Sequence, residues 1–229
     1  MDVLGTKYGC WFLPKDIDLN EDSVVYSAGV GEDMSFDMIL SDKYKCNIVL
    51  IDPTKRSKTH FDEMKHYYEK IRWKLSGDIQ EDYYGIMYPL KPDLEKVTFV
   101  EKGLWDEKKS NMKFYKPVNK QYVSHSFFEG QCSDEYTEVE VDTLKNIMEE
   151  NEHHTIDVLK LSIGGSEVKV LQDMLNENIF PRYICLHFTI VKSNPNIKAE
   201  VTKILTRLQM LRYKVLGSNS NKFIMKLIV

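Results

Sequence analysis

What this chain of 229 residues lacks narrows its function before any motif is found. It has no excess of positive charge: 31 Lys and Arg against 35 Asp and Glu leave a formal charge of −4. No overall basic field is therefore available to hold a nucleic-acid backbone or an anionic membrane, and a nucleic-acid binder is not expected. Arginine is scarce, at five residues, so lysine supplies the other 26 cations. The four cysteines, Cys10, Cys46, Cys132 and Cys185, form neither a CxxC pair nor a dense framework, so reduced, buried thiols are expected. No apolar run approaches the roughly 18 residues that would span a bilayer. The opening MDVLGTKYGC has no basic segment leading into an apolar one, so the expectation is a cytoplasmic protein with no membrane partner. Repeats, low-complexity tracts and Gly/Ser/Pro-rich linkers are missing too, and a single domain over residues 1–229 is the expectation.

What is present is an alternation of short apolar runs with helical patterns, the signature of an α/β protein with a mainly parallel, doubly wound sheet. Residues 23–27 read as a strand that ends at Ala28-Gly29-Val30-Gly31, and residues 32–40 as the helix after it. A second strand, residues 47–51, stops at Asp52-Pro53, and residues 59–75 read as a long amphipathic helix. From Gly77 to Thr137 the pattern weakens: residues 97–100 and 112–115 read as strands, and no helix is assigned. Then follow a helix over 141–149, a strand over 156–161, a helix over 165–177 and a strand over 183–188. A helix over 199–211 leads to strands over 213–216 and 222–229, separated by Gly217-Ser218-Asn219-Ser220-Asn221. That ending is an antiparallel hairpin closing an otherwise parallel sheet.

Gly29 and Gly31, placed between a buried strand and a helix, let the backbone come close to a ligand. Asp52 ends the next strand about twenty residues on, where a carboxylate can accept hydrogen bonds from both hydroxyls of a ribose. Together they suggest a nucleoside cofactor; the plainer reading is a tight turn with a solvated acid at a strand end. A dinucleotide suits the chain less well, because Met34 stands where a third glycine would be and Glu32 and Asp33 would repel a pyrophosphate. Two acids suit a cofactor with cationic groups, such as the amino group and sulfonium of S-adenosylmethionine.

The runs Tyr26-Ser27-Ala28-Gly29-Val30-Gly31-Glu32-Asp33-Met34-Ser35-Phe36-Asp37, Ile51-Asp52-Pro53-Thr54, Gly103-Leu104-Trp105, Val123-Ser124-His125-Ser126, Ile156-Asp157-Val158-Leu159-Lys160-Leu161 and Gly165-Ser166-Glu167 resemble the FkbM-type methyltransferases. The resemblance runs in the family's order from Tyr8-Gly9 to the last hairpin. It implies S-adenosylmethionine-dependent O-methylation of sugar or natural-product hydroxyls on a class I methyltransferase (Rossmann-like) fold, a seven-stranded mixed sheet whose last strand is antiparallel. Carried over by position, Ser27, Ala28, Gly29, Gly31 and Asp33 would line the methionine and ribose side, and Asp52 the ribose hydroxyls. Gly103 and Leu104 would lie by the adenine, with Ser124 and His125 near the cofactor or the entrance. Residues 77–92 and 117–137 are expected as acceptor-side insertions or lids.

The chain departs from the family at three acids. Where the family continues Asp-x-Glu-Gly, this chain reads Ser162-Ile163-Gly164-Gly165, and a Glu-Phe-His becomes His187-Phe188-Thr189. His187, near the C-terminal end of its strand, is then the first candidate for a catalytic base, since an ordinary imidazole titrates near neutrality. Lys160 and Ser162 are the neighbouring catalytic candidates, Lys160 to orient an oxygen or to pair with Glu167. Glu167 itself opens a helix, whose dipole it favours. His153-His154 reads as a solvated loop pair, and no metal site is expected. Tyr67-Tyr68, Tyr83-Tyr84 and Phe127-Phe128 could stack on a sugar or simply pack. The expected function is O-methylation of a sugar hydroxyl on a small-molecule or glycan acceptor. Its rivals are a module that binds the cofactor without catalysis and a nicotinamide-dependent oxidoreductase.

Overall fold

The computed structural model describes residues 1–69, 74–119, 121–129, 132–188, 195–219 and 222–228. Two three-residue strands, β1 (Asp2–Leu4) and β2 (Trp11–Leu13), pair antiparallel at the start of the chain. Neither was expected, because three residues are too few to show a period. Next come β3 (Val24–Ala28), α1 (Ser35–Tyr44), β4 (Asn47–Ile51), α2 (Lys55–Glu69) and the one-turn α3 (Tyr83–Met87). They are followed by β5 (Val97–Val100), β6 (Gly103–Leu104), β7 (Lys109–Tyr115), β8 (Tyr136–Asp142) and α4 (Leu144–Glu150). The chain ends with β9 (Val158–Leu161), α5 (Glu167–Asn176), β10 (Tyr183–His187), α6 (Pro195–Met210), β11 (Tyr213–Asn219) and β12 (Lys222–Leu227).

Seven of these strands form one sheet in the order β11-β12-β10-β9-β3-β4-β5, parallel except for β12, which runs antiparallel to both neighbours. This is the seven-stranded mixed sheet of the class I, Rossmann-like methyltransferase fold, with the terminal hairpin read from the sequence. Its central strands are buried on both faces: every residue of β3 and of β9 is buried. On one face Tyr26, Ile51, Leu159, Leu161 and Ile184 pack against α4, α5 and α6 through Leu144, Leu171 and Leu208. On the other, Val25, Leu50, Val158 and Cys185 pack against α1, α2 and α3 through Phe36, Phe61 and Tyr83. Alternate residues of one strand thus feed opposite cores, which is the period of two expressed in tertiary structure.

The middle of the chain is where the sequence reading needs correction. Residues 141–149 are not one helix: Val141 and Asp142 end β8, and α4 begins at Leu144, with the Thr143 side chain accepting from Asn146 N at 3.2 Å as its N-cap. β8 is not legible in the sequence because its first five residues are exposed or half-exposed and look like a solvated loop, and only Val141 and Asp142 at its end are buried. β8 lies between β6 and β7 in a second, three-stranded sheet, closed by a small aromatic core of Trp105, Phe114 and Phe127 with Val141.

Elsewhere the boundaries move. α1 starts at Ser35 rather than 32, after the glycine turn has finished, and runs on to Tyr44. α2 starts at Lys55; Ile71 of the expected helix lies outside the described residues, and Lys74 and Leu75 are not helical. α6 starts four residues early, β11 extends to Asn219, and Ser220, Asn221 and Val229 lie outside the described residues. All four cysteines are free, but only Cys46 and Cys185 are buried; Cys10 and Cys132 are partly exposed. Among the described residues no helix is long and apolar enough to cross a membrane.

Candidate active site

The strand order reverses direction between β3 and β9, and their C-terminal ends open into a cleft of about 540 Å³. That is where open α/β sheets bind ligands, because the chain leaves neighbouring strands toward opposite faces.

Its floor is the turn after β3. Gly29 has φ +76° and Gly31 φ +56°, and a Cβ on Gly29 would sit 2.0 Å from the carbonyl oxygen of Ser162. Only glycine lets this turn pass so close to the end of β9. Gly31 N donates to Asp52 Oδ2 at 3.0 Å, while Asp52 Oδ1 accepts from Thr54 N at 2.9 Å and Thr54 Oγ1 at 2.6 Å. Asp52 is thus locked in orientation, with lone pairs left over on a carboxylate that lines the cleft.

One wall is built by the segment that follows Gln121. Tyr115 and Ser126 exchange backbone hydrogen bonds of 2.8 and 3.1 Å, which adds this segment to the edge of β7. Ser126 Oγ donates to Gly164 O at 2.9 Å, and a Cβ on Gly164 would lie 2.3 Å from His125 O. The segment therefore lies across the turn after β9. Gly103, Leu104, Phe114 and Phe127 complete an apolar surface, and His125 stacks on Phe114 with ring centroids 5.0 Å apart.

The other end is formed by β9, β10, β12 and the N-terminal arm. Ser162 Oγ lies 3.1 Å from His187 Nδ1, and the His187 ring meets Trp11 edge-on at 6.4 Å. Burial, reinforced by the Lys222 ammonium, pushes the His187 imidazole down to about 4, so it is neutral at pH 7. Lys160 Nζ donates to Ser27 Oγ at 3.0 Å and stands 3.9 Å from the fully buried Asp37.

The candidate residues are therefore brought together, with exceptions. Gly29, Gly31, Asp33, Asp52, Gly103, Leu104, Ser124, His125, Lys160, Ser162 and His187 all line the cleft. Ser27 and Ala28 do not: both are wholly buried in β3, where Ser27 receives Lys160 and the Ala28 carbonyl accepts from Ser162 N at 3.1 Å. The two acids after the turn are already engaged. Glu32 holds Arg56 through two bonds of 2.9 and 2.6 Å, and Asp33 accepts from Thr6 Oγ1, Ser35 N and Ser35 Oγ.

Lys160 pairs with Asp37 and not with Glu167. Glu167 is buried beneath the turn after β9, accepts from Ile163 N at 2.8 Å, and is pushed up to about 7 by burial. His153 is also not simply solvated, since its Nδ1 lies 3.0 Å from the Tyr26 hydroxyl, whereas His154 is exposed. Thr189 lies outside the described residues. Tyr67, Tyr68, Tyr83 and Tyr84 pack on one another away from the cleft, and no residue of 77–92 lines it, whereas 123–127 and Cys132 do.

Trp11 and Lys222 were not singled out. They sit in the second and the last strands, and no spacing in the sequence signals that β12 inserts beside β10 and brings Lys222 opposite His187.

The Methyltransferase FkbM domain matches residues 19–215, most of the chain and every strand of the large sheet but β12 and the second half of β11. The chain belongs to the FkbM methyltransferase family. No curated protein matches this methyltransferase. Among solved structures it is similar to a "putative rRNA-methylase" from Clostridium thermocellum, at 9% identity over 92% of this chain and 89% of that one, with a TM-score of 0.48. A methyltransferase from Pyrococcus furiosus is similar at 12% identity over 93% and 78%, with a TM-score of 0.33.

Proposed function

We propose that this FkbM methyltransferase uses S-adenosylmethionine to methylate a hydroxyl of a sugar, in a glycan or a glycosylated metabolite. The observation that carries the cofactor is the glycine turn tied to Asp52. The turn lines the cleft, its φ values suit glycine, a Cβ on Gly29 would strike the Ser162 carbonyl, and the carboxylate at its rim is held by Gly31 and Thr54. A cleft of about 540 Å³ falls in the range of small-molecule sites.

In this reading Asp52 would receive the ribose hydroxyls, and Gly103, Leu104 and Phe127 would flank the adenine. Ser124 and His125 would border the entrance, and Gly29, Gly31 and Asp33 the amino-acid end. When bound, the cofactor supplies an electrophilic methyl group on a sulfonium. The protein's part is to hold the acceptor oxygen in line and to take its proton, and the positioning accounts for most of the rate.

His187 can take that proton only in one tautomer. If Nδ1 carries the hydrogen and donates to Ser162 Oγ, then Nε2 keeps its lone pair; the reverse arrangement puts the hydrogen on Nε2 and closes it as a base. A base contributes typically ~10²–10⁴-fold, and an imidazole pushed down to about 4 belongs at the lower end.

That lowered basicity favours a second reading, a module that binds the cofactor and transfers nothing. Calorimetric titration with S-adenosylmethionine and with NAD, followed by a labelled-methyl assay across sugar acceptors, separates the alternatives. Transfer that falls in His187→Ala while cofactor affinity holds supports the enzyme. Binding with no transfer to any acceptor supports the silent module, and binding of NAD alone overturns both.

A further inference from the structure

The charges in the cleft are segregated. Its carboxylates are Glu32, Asp33 and Asp52, all at the glycine turn, and its ammonium groups are Lys160 and Lys222, on β9 and β12. β4, which ends at Ile51 just before Asp52, is separated from β12 by four strand spacings, on the order of 19 Å.

Lys160 donates to Ser27 Oγ and has the Asp37 carboxyl, pushed up by burial, 3.9 Å away. Lys222 is not matched. It is partly buried, and among the described residues no carboxylate lies within 4.0 Å of it. One of its three N–H groups donates to Cys10 O at 3.0 Å, and its ammonium lies over the Trp11 ring at 4.9 Å, with Lys160 over the same ring at 5.9 Å. Apart from the Lys160 ammonium, the groups placed against it are uncharged: Trp11 and the neutral His187, its partner in strand register. Asp33 acts on it only from a distance, with its oxygens taken by Thr6 and Ser35.

A partly desolvated ammonium with two unassigned donors, facing a cleft beside a second ammonium, is costly until an anion joins it. We infer that the acceptor is itself anionic, and that Lys222, opposite His187, forms the subsite for a carboxylate or phosphate carried near the hydroxyl that is methylated. This deepens the sugar-methylation reading and rests on it: a uronic acid or a sugar phosphate fits, whereas a neutral sugar brings no anion to the ammonium. Lys222 is then a specificity residue, selecting the acceptor by charge while His187 and the cofactor end deal with the reacting oxygen.

The test is a calorimetric titration of the full chain, with and without saturating S-adenosylmethionine, using glucuronate, glucose 1-phosphate and glucose as probes. Either anionic sugar is expected to bind about tenfold or more tighter than glucose, and the two anionic arms tell a carboxylate site from a phosphate site. The preference should collapse in Lys222→Gln, survive in Lys222→Arg, and shrink with added salt. Thermal melts of both variants matching the parent exclude misfolding as the cause of the collapse. Equal affinity for glucose and both anions, a preference that persists in Lys222→Gln, or no binding of any of the three overturns the subsite. The cofactor titration on the same sample keeps the two claims apart. S-adenosylmethionine binding with no anion preference removes the subsite and leaves the methyl-transfer reading. Anion preference without cofactor binding upholds the charge selection and removes methyl transfer.

Discussion

Asp52 and His187 carry opposite lessons about single side chains. Asp52 was legible because a strand, its end and the distance from a glycine turn are all local features, and the fold holds its carboxylate where the spacing implied. Asp52→Ala is expected to weaken S-adenosylmethionine binding by about 1–3 kcal/mol, the scale of a lost hydrogen-bonded charged group, and calorimetry showing unchanged affinity would end its assignment to the ribose. His187 was legible as a position but not as an acid-base group. An ordinary histidine would switch near 6.5, whereas burial and Lys222 bring this one down to about 4. A base works unprotonated, so turnover should stay level from pH 8 to 6 and fall only as pH approaches about 4. NMR titration of the imidazole checks the value, and Lys222→Gln should move its midpoint upward by removing a neighbouring positive charge.

Among the elements, those with enough residues to show a period were readable and the short or half-exposed ones were not. β3, β4, β9 and β10 are apolar runs buried on both faces, and α5 shows its buried face at Val168, Leu171 and Leu175. β1 and β2 have three residues each and β6 two, while β8 is exposed over most of its length, so the sequence shows neither the N-terminal pair nor, beyond residues 112–115 of β7, the second sheet. The turn after β3 is the element on which the site depends most. In Gly29→Ala, a Cβ would meet the Ser162 carbonyl at 2.0 Å in a backbone conformation with φ +76°. Backbone must shift on both sides of the cleft floor, and a loss of more than ~2 kcal/mol is expected from urea midpoints. A change within a few tenths would mean that β3 and β9 are not held in this register.

For the whole molecule, burial sets up two opposed pH dependences. His60 and His187, both pushed down to about 4, bind fewer protons folded than unfolded between about 4 and the ordinary 6.5. They therefore stabilise the fold above that window, and the stability is lost as pH falls through it. Glu167, pushed up to about 7, keeps a proton in the fold that the unfolded chain releases above 4.5, so its contribution is lost as pH rises from 4.5 to 7. Glu167→Gln removes the second dependence while leaving an oxygen to accept from Ile163 N. The variant should gain on the parent protein by about 3 kcal/mol between pH 4.5 and pH 8, read from urea denaturation at both values. A gap that does not widen with pH would show that Glu167 is not held neutral by burial.

The seven strands of the large sheet, the antiparallel ending, the glycine turn and the acid that faces it follow from periodicity and spacing along the chain, since each depends on neighbours within a few tens of residues. The company those residues keep does not. Lys160 rests on Asp37, Glu167 lies under the turn after β9, and Trp11 and Lys222 meet His187 from opposite ends of the chain. Sheet order decides these contacts, and burial then decides which groups carry charge, because desolvation depends on everything packed around a side chain and on nothing in its sequence neighbourhood.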